Sequence, residues 1–208
     1  YYAMMSILSV YLVLTKTEGG MGLSIAQAGS ILGTIPPLLY FLPIFAGSVA
    51  DKFGYRNVLF FAFICMIGGY FLAGTSESYF TVFLSLILLA TGAGFFKPVI
   101  SGTIAKTTNS ENSTVGFGIY YWSINLGAFL FPLLMVPFLK SISYSYIFFA
   151  GSAIATLLLF INLLLYKEPQ GTKQNSRLSA IFTDMVKVLA DWRFILMLVL
   201  YSAFWILY

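Results

Sequence analysis

The chain has 208 residues, of which 60% are hydrophobic and only 9% charged, and it carries a net charge of +4. Histidine is absent and Cys65 is the single cysteine, so disulfide frameworks, thiolate metal sites and histidine-dependent hydrolysis have no residues to run on. A mean hydropathy of +0.92 and recurrent apolar runs long enough to cross roughly 30 Å of hydrocarbon mark an all-α polytopic membrane protein. Tyr1 already opens an apolar segment with no basic region before it, so no cleavable signal peptide is expected.

Residues 1–14 are apolar but shorter than the roughly 20 residues of a full span, which predicts that the sequence begins inside its first membrane helix. A polar, glycine-rich connection from Thr15 to Ser24 leads to a second span, about Ile25 to Ala50, containing Pro36, Pro37 and Pro43. Prolines at that depth predict a kinked helix packed among neighbours that answer the freed carbonyls. The third span follows almost without a loop, from about Asn57 to Gly74. Between them stands GSVADKFGYR, Gly47 to Arg56, a tight turn in which Asp51 can cap or pair. The fourth span runs from about Tyr79 to Ala105, the fifth from about Val115 to Leu139 with Pro132 and Pro137, and the sixth from about Tyr144 to Tyr166.

Beyond Tyr166 the composition turns abruptly polar, KEPQGTKQNSR. Leu178, Ile181, Phe182, Met185, Val188, Leu189 and Trp192 then recur at helical spacing, which predicts an amphipathic helix along the membrane surface. Phe194 to Tyr208 starts a seventh span. The expected organisation is a six-helix bundle over residues 1–166, a linker with its amphipathic helix over 167–193, and the beginning of helix 7 over 194–208. With alternating loops, the connections after spans two, four and six hold eight basic residues and those after one, three and five hold two, with Lys97 inside the membrane. The even-numbered loops and the linker are therefore expected on the cytoplasmic side of a plasma (inner) membrane.

Two spans carry polar groups that need an explanation. In the fourth, GAGFFKPVISG places Lys97 and Pro98 within an apolar helix, and Ala90, Gly94, Lys97 and Ser101 recur at helical spacing. A lysine at the bilayer centre costs about 2.5–3.5 kcal/mol, so Lys97 is expected to face a cavity, with snorkelling toward the helix end as the alternative. Phe95, Phe96 and Val99 are expected to point elsewhere, and Pro98 leaves the Gly94 carbonyl without its helical donor. In the fifth span Gly118, Tyr121, Asn125, Ala128 and Pro132 form a second stripe. Asn125 offers a donor and an acceptor and is expected to face the same site as Lys97; a plain helix–helix hydrogen bond is the alternative.

The Gly47–Arg56 turn resembles the pattern G-x-x-x-D-[RK]-x-G-x-[RK] between helices 2 and 3 of the major facilitator superfamily, matched here by Gly47, Asp51, Lys52, Gly54 and Arg56. GAGFFKPVIS resembles the helix 4 pattern G-x-G-x-x-K-P-x-x-S of its proton-dependent oligopeptide transporter family, and FGIYYWSINLGAF, Phe117 to Phe129, fits that family's helix 5 signature. Tyr1 and Tyr2 resemble the end of its helix 1 motif, with Ala3 where glycine is usual, and that motif's glutamates and arginine would precede Tyr1. The ADKFG turn is one residue shorter than the family's common form. The resemblance implies a major facilitator fold, a six-helix N-terminal half built as a 3+3 inverted repeat, and proton-coupled symport of small peptides by alternating access. It implies that Lys97 couples protons and holds the peptide carboxylate, that Asn125, Tyr2, Tyr40 and Tyr121 line the pocket, and that the proton is the coupling ion, with no cofactor. Peptide, the lipid bilayer and a C-terminal six-helix half are the implied partners, and nucleic acid is not one. Another carrier of the superfamily, for drugs or organic anions, or a non-transporting membrane sensor, is the alternative; an enzyme is not expected.

Overall fold

The computed structural model describes residues 2–169, 183, 187 and 190–207, with side chains over 4–169, 183, 187 and 190–203. It divides into two units, 1–172 and 173–208. The first unit is helical throughout its described elements. Helix α1 spans Tyr2–Val13, followed by a single tight turn at Lys16–Glu18, α2 at Ile25–Phe41 and α3 at Pro43–Phe53. Then come α4 at Tyr55–Thr75, α5 at Tyr79–Thr107, α6 at Ser113–Leu130, α7 at Val136–Ile142 and α8 at Ser145–Leu165. The second unit contains α9, Trp192–Leu207, which starts two residues before the expected Phe194 because the Asp191 carboxylate accepts from the Arg193 N–H at 2.8 Å. Apart from Trp192, the predicted amphipathic helix (Leu178, Ile181, Phe182, Met185, Val188 and Leu189) lies outside the described residues.

Start signals are local and explicit. Ser24 and Ser78 open α2 and α5 with reciprocal capping, each side chain accepting from the backbone three residues on while Gln27 and Thr81 answer back. Proline sets the bends. The second predicted span is two helices, α2 and α3, meeting at an angle of 43° where Pro43 follows Leu42. Between α6 and α7, Phe131–Met135 forms one widened π turn carrying Pro132, and the whole 30-residue stretch Ser113–Ile142 is apolar enough to span a bilayer. Pro98, by contrast, leaves α5 continuous over 29 residues.

Two apolar clusters hold the bundle. One joins α1, α2, α4, α5 and α8 around Leu8, Leu12, Ile31, Leu86 and Phe148; the other fills the opposite end with Leu59, Phe63 and Val99. The tightest seam is α4 against α5. A Cβ on Gly92 would stand 2.5 Å from the Ala62 carbonyl oxygen, and one on Gly69 would stand 2.6 Å from the Leu89 nitrogen, so here backbone meets backbone. Gly92→Ala is therefore expected to lower stability by about 2 kcal/mol, measured as a fall in the detergent-solubilised melting temperature of the full-length protein. An unchanged melting temperature would show that the seam yields. In contrast, α6 contributes no buried residue, and Ile119, Tyr121 and Trp122 are each at least 60% exposed.

Candidate functional site

A cavity of about 340 Å³ lies inside the first unit, enclosed by α1, α4, α5, α6 and α8. Its walls are mostly Met, Phe, Ile, Leu and Ala side chains, with Met4, Met66, Phe96, Ile124 and Leu158 prominent, and among the described residues Lys97 of α5 supplies its only formal charge. Lys97 is half-buried, among buried or half-buried neighbours on α5. The helix carries it there because Gly94, one turn earlier, packs so closely on the bend of the second span that a Cβ would meet Leu42 Cβ at 2.8 Å. That contact fixes the rotation of α5. The hydroxyl of Ser101 is turned back on its own helix, donating to the Lys97 carbonyl at 3.1 Å.

The facing wall comes from α6, through Tyr120, Ser123, Ile124, Gly127 and Ala128, continued by Phe131 of the π turn. Asn125 is not on it. Its Nδ2 donates to the Tyr121 carbonyl of the same helix at 2.8 Å, and the residue is exposed. At 3.6 residues per turn, Asn125 and Tyr121 lie roughly a third of a turn away from the cavity-lining face. The expectation that Lys97 and Asn125 face one another is therefore corrected for this unit: of the predicted α6 stripe, only Ala128 lines the cavity. Phe96 is a second correction, since it stands beside Lys97 on the wall rather than pointing elsewhere. Tyr40 on α2 is 73% exposed and Tyr121 60% exposed. Tyr2 lies in the first turn of α1, and its side chain is outside the described set.

The predicted turn motif is built into a clasp at the other end of the bundle. Asp51 pairs with Lys106 of α5 at 3.1 Å and accepts from the Tyr55 hydroxyl at 3.0 Å. Lys52 lies over the Phe53 ring at 5.4 Å, and Gly47 has open space where a side chain would be. Gly54 adopts φ +93°, a left-handed conformation that glycine takes without cost, and it joins α3 to α4 with no residues to spare. The first two N–H groups of α4 then donate to one carboxylate, Glu168, from Tyr55 at 2.6 Å and from Arg56 at 2.8 Å. That explains why α4 begins at Tyr55, two residues before the sequence-based start. The Arg56 guanidinium donates to the Leu163 carbonyl, and Asn162 Nδ2 donates to the Arg56 carbonyl at 3.2 Å. Thr103 and Tyr166 hydroxyls join at 2.6 Å. Glu168, Lys106 and Tyr55 are functional-looking residues that the sequence pattern did not single out. The one available signal was an acidic residue just past the end of an apolar span.

Residues 1–208 match the family described as the Major Facilitator Superfamily. An uncharacterized transporter of Bacillus subtilis is 30% identical over 161 residues, covering 76% of this chain and 32% of that relative. A di-/tripeptide transporter of Lactococcus lactis is 31% identical over 149 residues, 69% of this chain and 30% of the relative. Among solved structures, the peptide transporter POT bound to alafosfalin superposes with a TM-score of 0.76 at 25% identity, covering 96% of this chain and 43% of that one. The chain spans about a third of the length of the curated relatives it matches.

Proposed function

The chain belongs to the major facilitator superfamily, and we propose that it forms the N-terminal six-helix half of a secondary transporter that carries di- and tripeptides together with protons. The observation that carries this reading is the single cation, Lys97, on the wall of an otherwise apolar cavity, in a chain similar to transporters of di- and tripeptides. In such surroundings a carboxylate is drawn to an ammonium far more strongly than in water. Lys97 therefore holds the C-terminal carboxylate of a peptide, and a proton taken up elsewhere in the site frees it to do so.

Asn125, Tyr121, Tyr40 and Tyr2 belong to a different surface in this reading. Asn125, Tyr121 and Tyr40 stand on exposed sides of α2 and α6 that the C-terminal half would cover, and together with Tyr2 of α1 line the path between the halves. Support comes from the exposure of large apolar side chains on α2, α3 and α6, among them Phe41, Ile44, Ile119 and Trp122. Alternating access then follows from rocking one half against the other about a site near the midplane. The clasp of Asp51, Lys52, Gly54, Arg56 and Gly47 lies at the cytoplasmic ends of the helices, where the bias of basic residues puts the even-numbered loops, and the membrane is the plasma (inner) membrane.

The test is uptake by the full-length protein in reconstituted vesicles. An imposed inward proton gradient is expected to concentrate labelled dialanine, excess unlabelled dipeptide to compete, and a protonophore to abolish the accumulation. No peptide uptake, or uptake indifferent to the gradient, would overturn the proposal.

A further inference from the structure

Along the junction of α4 and α5, at the end of the bundle away from the clasp, runs a cleft of about 680 Å³ that shares no lining residue with the Lys97 cavity. Its two ends differ. Thr75, Ser76, Glu77, Ser78 and Thr81 make a polar end where α4 stops and α5 starts, and Leu84, Ile87 and Leu88 carry the cleft on as hydrocarbon to Thr91. From Ser78 to Thr91 the helix rises about 20 Å, and the hydrocarbon of one leaflet is about 15 Å deep.

The side chains of the polar end accept hydrogen bonds and have none left to give. Thr75 donates to the Phe71 and Leu72 carbonyls, each at 3.2 Å, and Ser76 donates to the Leu72 carbonyl at 2.6 Å. Thr81 donates to the Ser78 carbonyl at 3.0 Å, which leaves the Ser78 hydroxyl as the donor in the 3.0 Å bond between the two side chains. Each hydroxyl hydrogen is thus committed while oxygen lone pairs remain. The Glu77 carboxylate adds a charge and makes no hydrogen bond or ion pair among the described residues; Lys16 reaches only the Glu77 backbone carbonyl, at 3.3 Å. Because the C-terminus of α4 and the N-terminus of α5 meet here, their dipoles offset one another and the carboxylate sets the sign. What this end selects is a cation with N–H groups, and what the rest of the cleft selects is a hydrocarbon chain. Lipid supplies both and reaches the place: α4 and α5 are each long and apolar enough to span a bilayer, and Leu72 and Leu84, one from each helix, are 48% and 47% exposed along the cleft.

We propose that this cleft binds an aminophospholipid of the phosphatidylethanolamine type. The ammonium donates to the Glu77 carboxylate and the neighbouring hydroxyl oxygens, and one acyl chain lies along Leu84 and Leu88. Lys16, which stands against the Glu77 backbone without lining the cleft, answers the phosphate. A trimethylammonium headgroup carries the same charge with no N–H and leaves those acceptors unmet. The site does not depend on what the protein transports.

The experiment uses the full-length protein in detergent with dioleoylphosphatidylethanolamine as probe, and lipid retained per protein is read by native mass spectrometry. Dioleoylphosphatidylcholine, which has no N–H, and dioleoylphosphatidylglycerol, which is anionic, are the comparison lipids. One phosphatidylethanolamine is expected to stay bound at concentrations where both others are lost. Glu77→Gln, at an exposed position, is expected to weaken that retention about tenfold, the weight of one hydrogen bond to a charged group, and to leave phosphatidylcholine unchanged. Leu84→Trp, which fills the cleft from its exposed side, is expected to weaken phosphatidylethanolamine retention as well. Equal retention of phosphatidylethanolamine and phosphatidylcholine, stronger retention of phosphatidylglycerol, or phosphatidylethanolamine binding unchanged in either variant would overturn the proposal. A dimer that Leu84→Trp converts to monomer would give the cleft to a second copy of the chain and overturn it too. Glu77→Gln decides the matter should Leu84→Trp fail to fold.

Discussion

Lys97→Ala in the full-length protein is expected to lower proton-driven dipeptide uptake about a hundredfold, the size of effect seen when one partner of a desolvated charge pair is truncated. The expectation rests on where the charge sits. A lysine within a continuous 29-residue membrane helix carries an insertion cost of about 2.5–3.5 kcal/mol, and the cavity wall it stands on is mostly apolar. Substrate counterflow, which needs binding but no proton gradient, separates the two roles assigned to it. Counterflow retained beside lost gradient-driven uptake makes Lys97 a coupling residue, and loss of both makes it a binding residue. Gradient-driven uptake equal to wild type would remove Lys97 from the mechanism.

Glu168→Ala is expected to cost about 2–4 kcal/mol of stability. One carboxylate there accepts from two backbone N–H groups at the first turn of α4, bonds to a charged acceptor that contribute about 1.5–3 kcal/mol each before water partly replaces them. The negative charge also lies at the positive end of the helix dipole, worth about 0.3–1 kcal/mol more. Glu168→Gln keeps an acceptor oxygen and is expected to lose about half as much, which distinguishes a capping role from a purely electrostatic one. The measurement is the melting temperature of the full-length protein in detergent. A Glu168→Ala protein as stable as wild type would show that the clasp is held by Asp51, Lys106 and Arg56 alone. That outcome runs against their geometry: the Asp51–Lys106 pair has side chains 40% and 30% exposed, and exposed pairs are worth about 0–1 kcal/mol.

The helices and their bends were legible because their causes are local. Pro43 bends the second span, as its prolines predicted, and the Gly47–Arg56 segment leaves so few residues between spans two and three that only Gly54 separates α3 from α4. Lys97 was legible as a cavity residue because a charge inside an apolar helix has few other places to go. Its companions were not. Which residues of α6 share its cavity depends on the rotation of that helix about its axis, set by packing against α5 and α1, and a stripe at spacings of three and four fits several rotations nearly as well. Tyr121 and Asn125 lie off the wall of this unit's cavity, and Tyr120 and Ser123, which line it, were passed over. Glu168 was illegible for a different reason. Its partners are 113 and 112 residues away, and in sequence it reads as one more polar residue of a linker.

The glycine seam between α4 and α5 has a mechanical consequence. Where helices touch through interlocking side chains, rotamers can exchange and the pair can slide; where main chain rests on main chain, there is no side-chain layer to rearrange. With Gly92 against Ala62 and Gly69 against Leu89, α4 and α5 behave as one stiff strut, and the strut carries both Lys97 and the first turn of the clasp. A displacement at the lysine is thereby delivered to Tyr55 and Arg56 as rigid translation, while the compliance of the bundle resides in α6, which buries nothing and is interrupted by its own π turn.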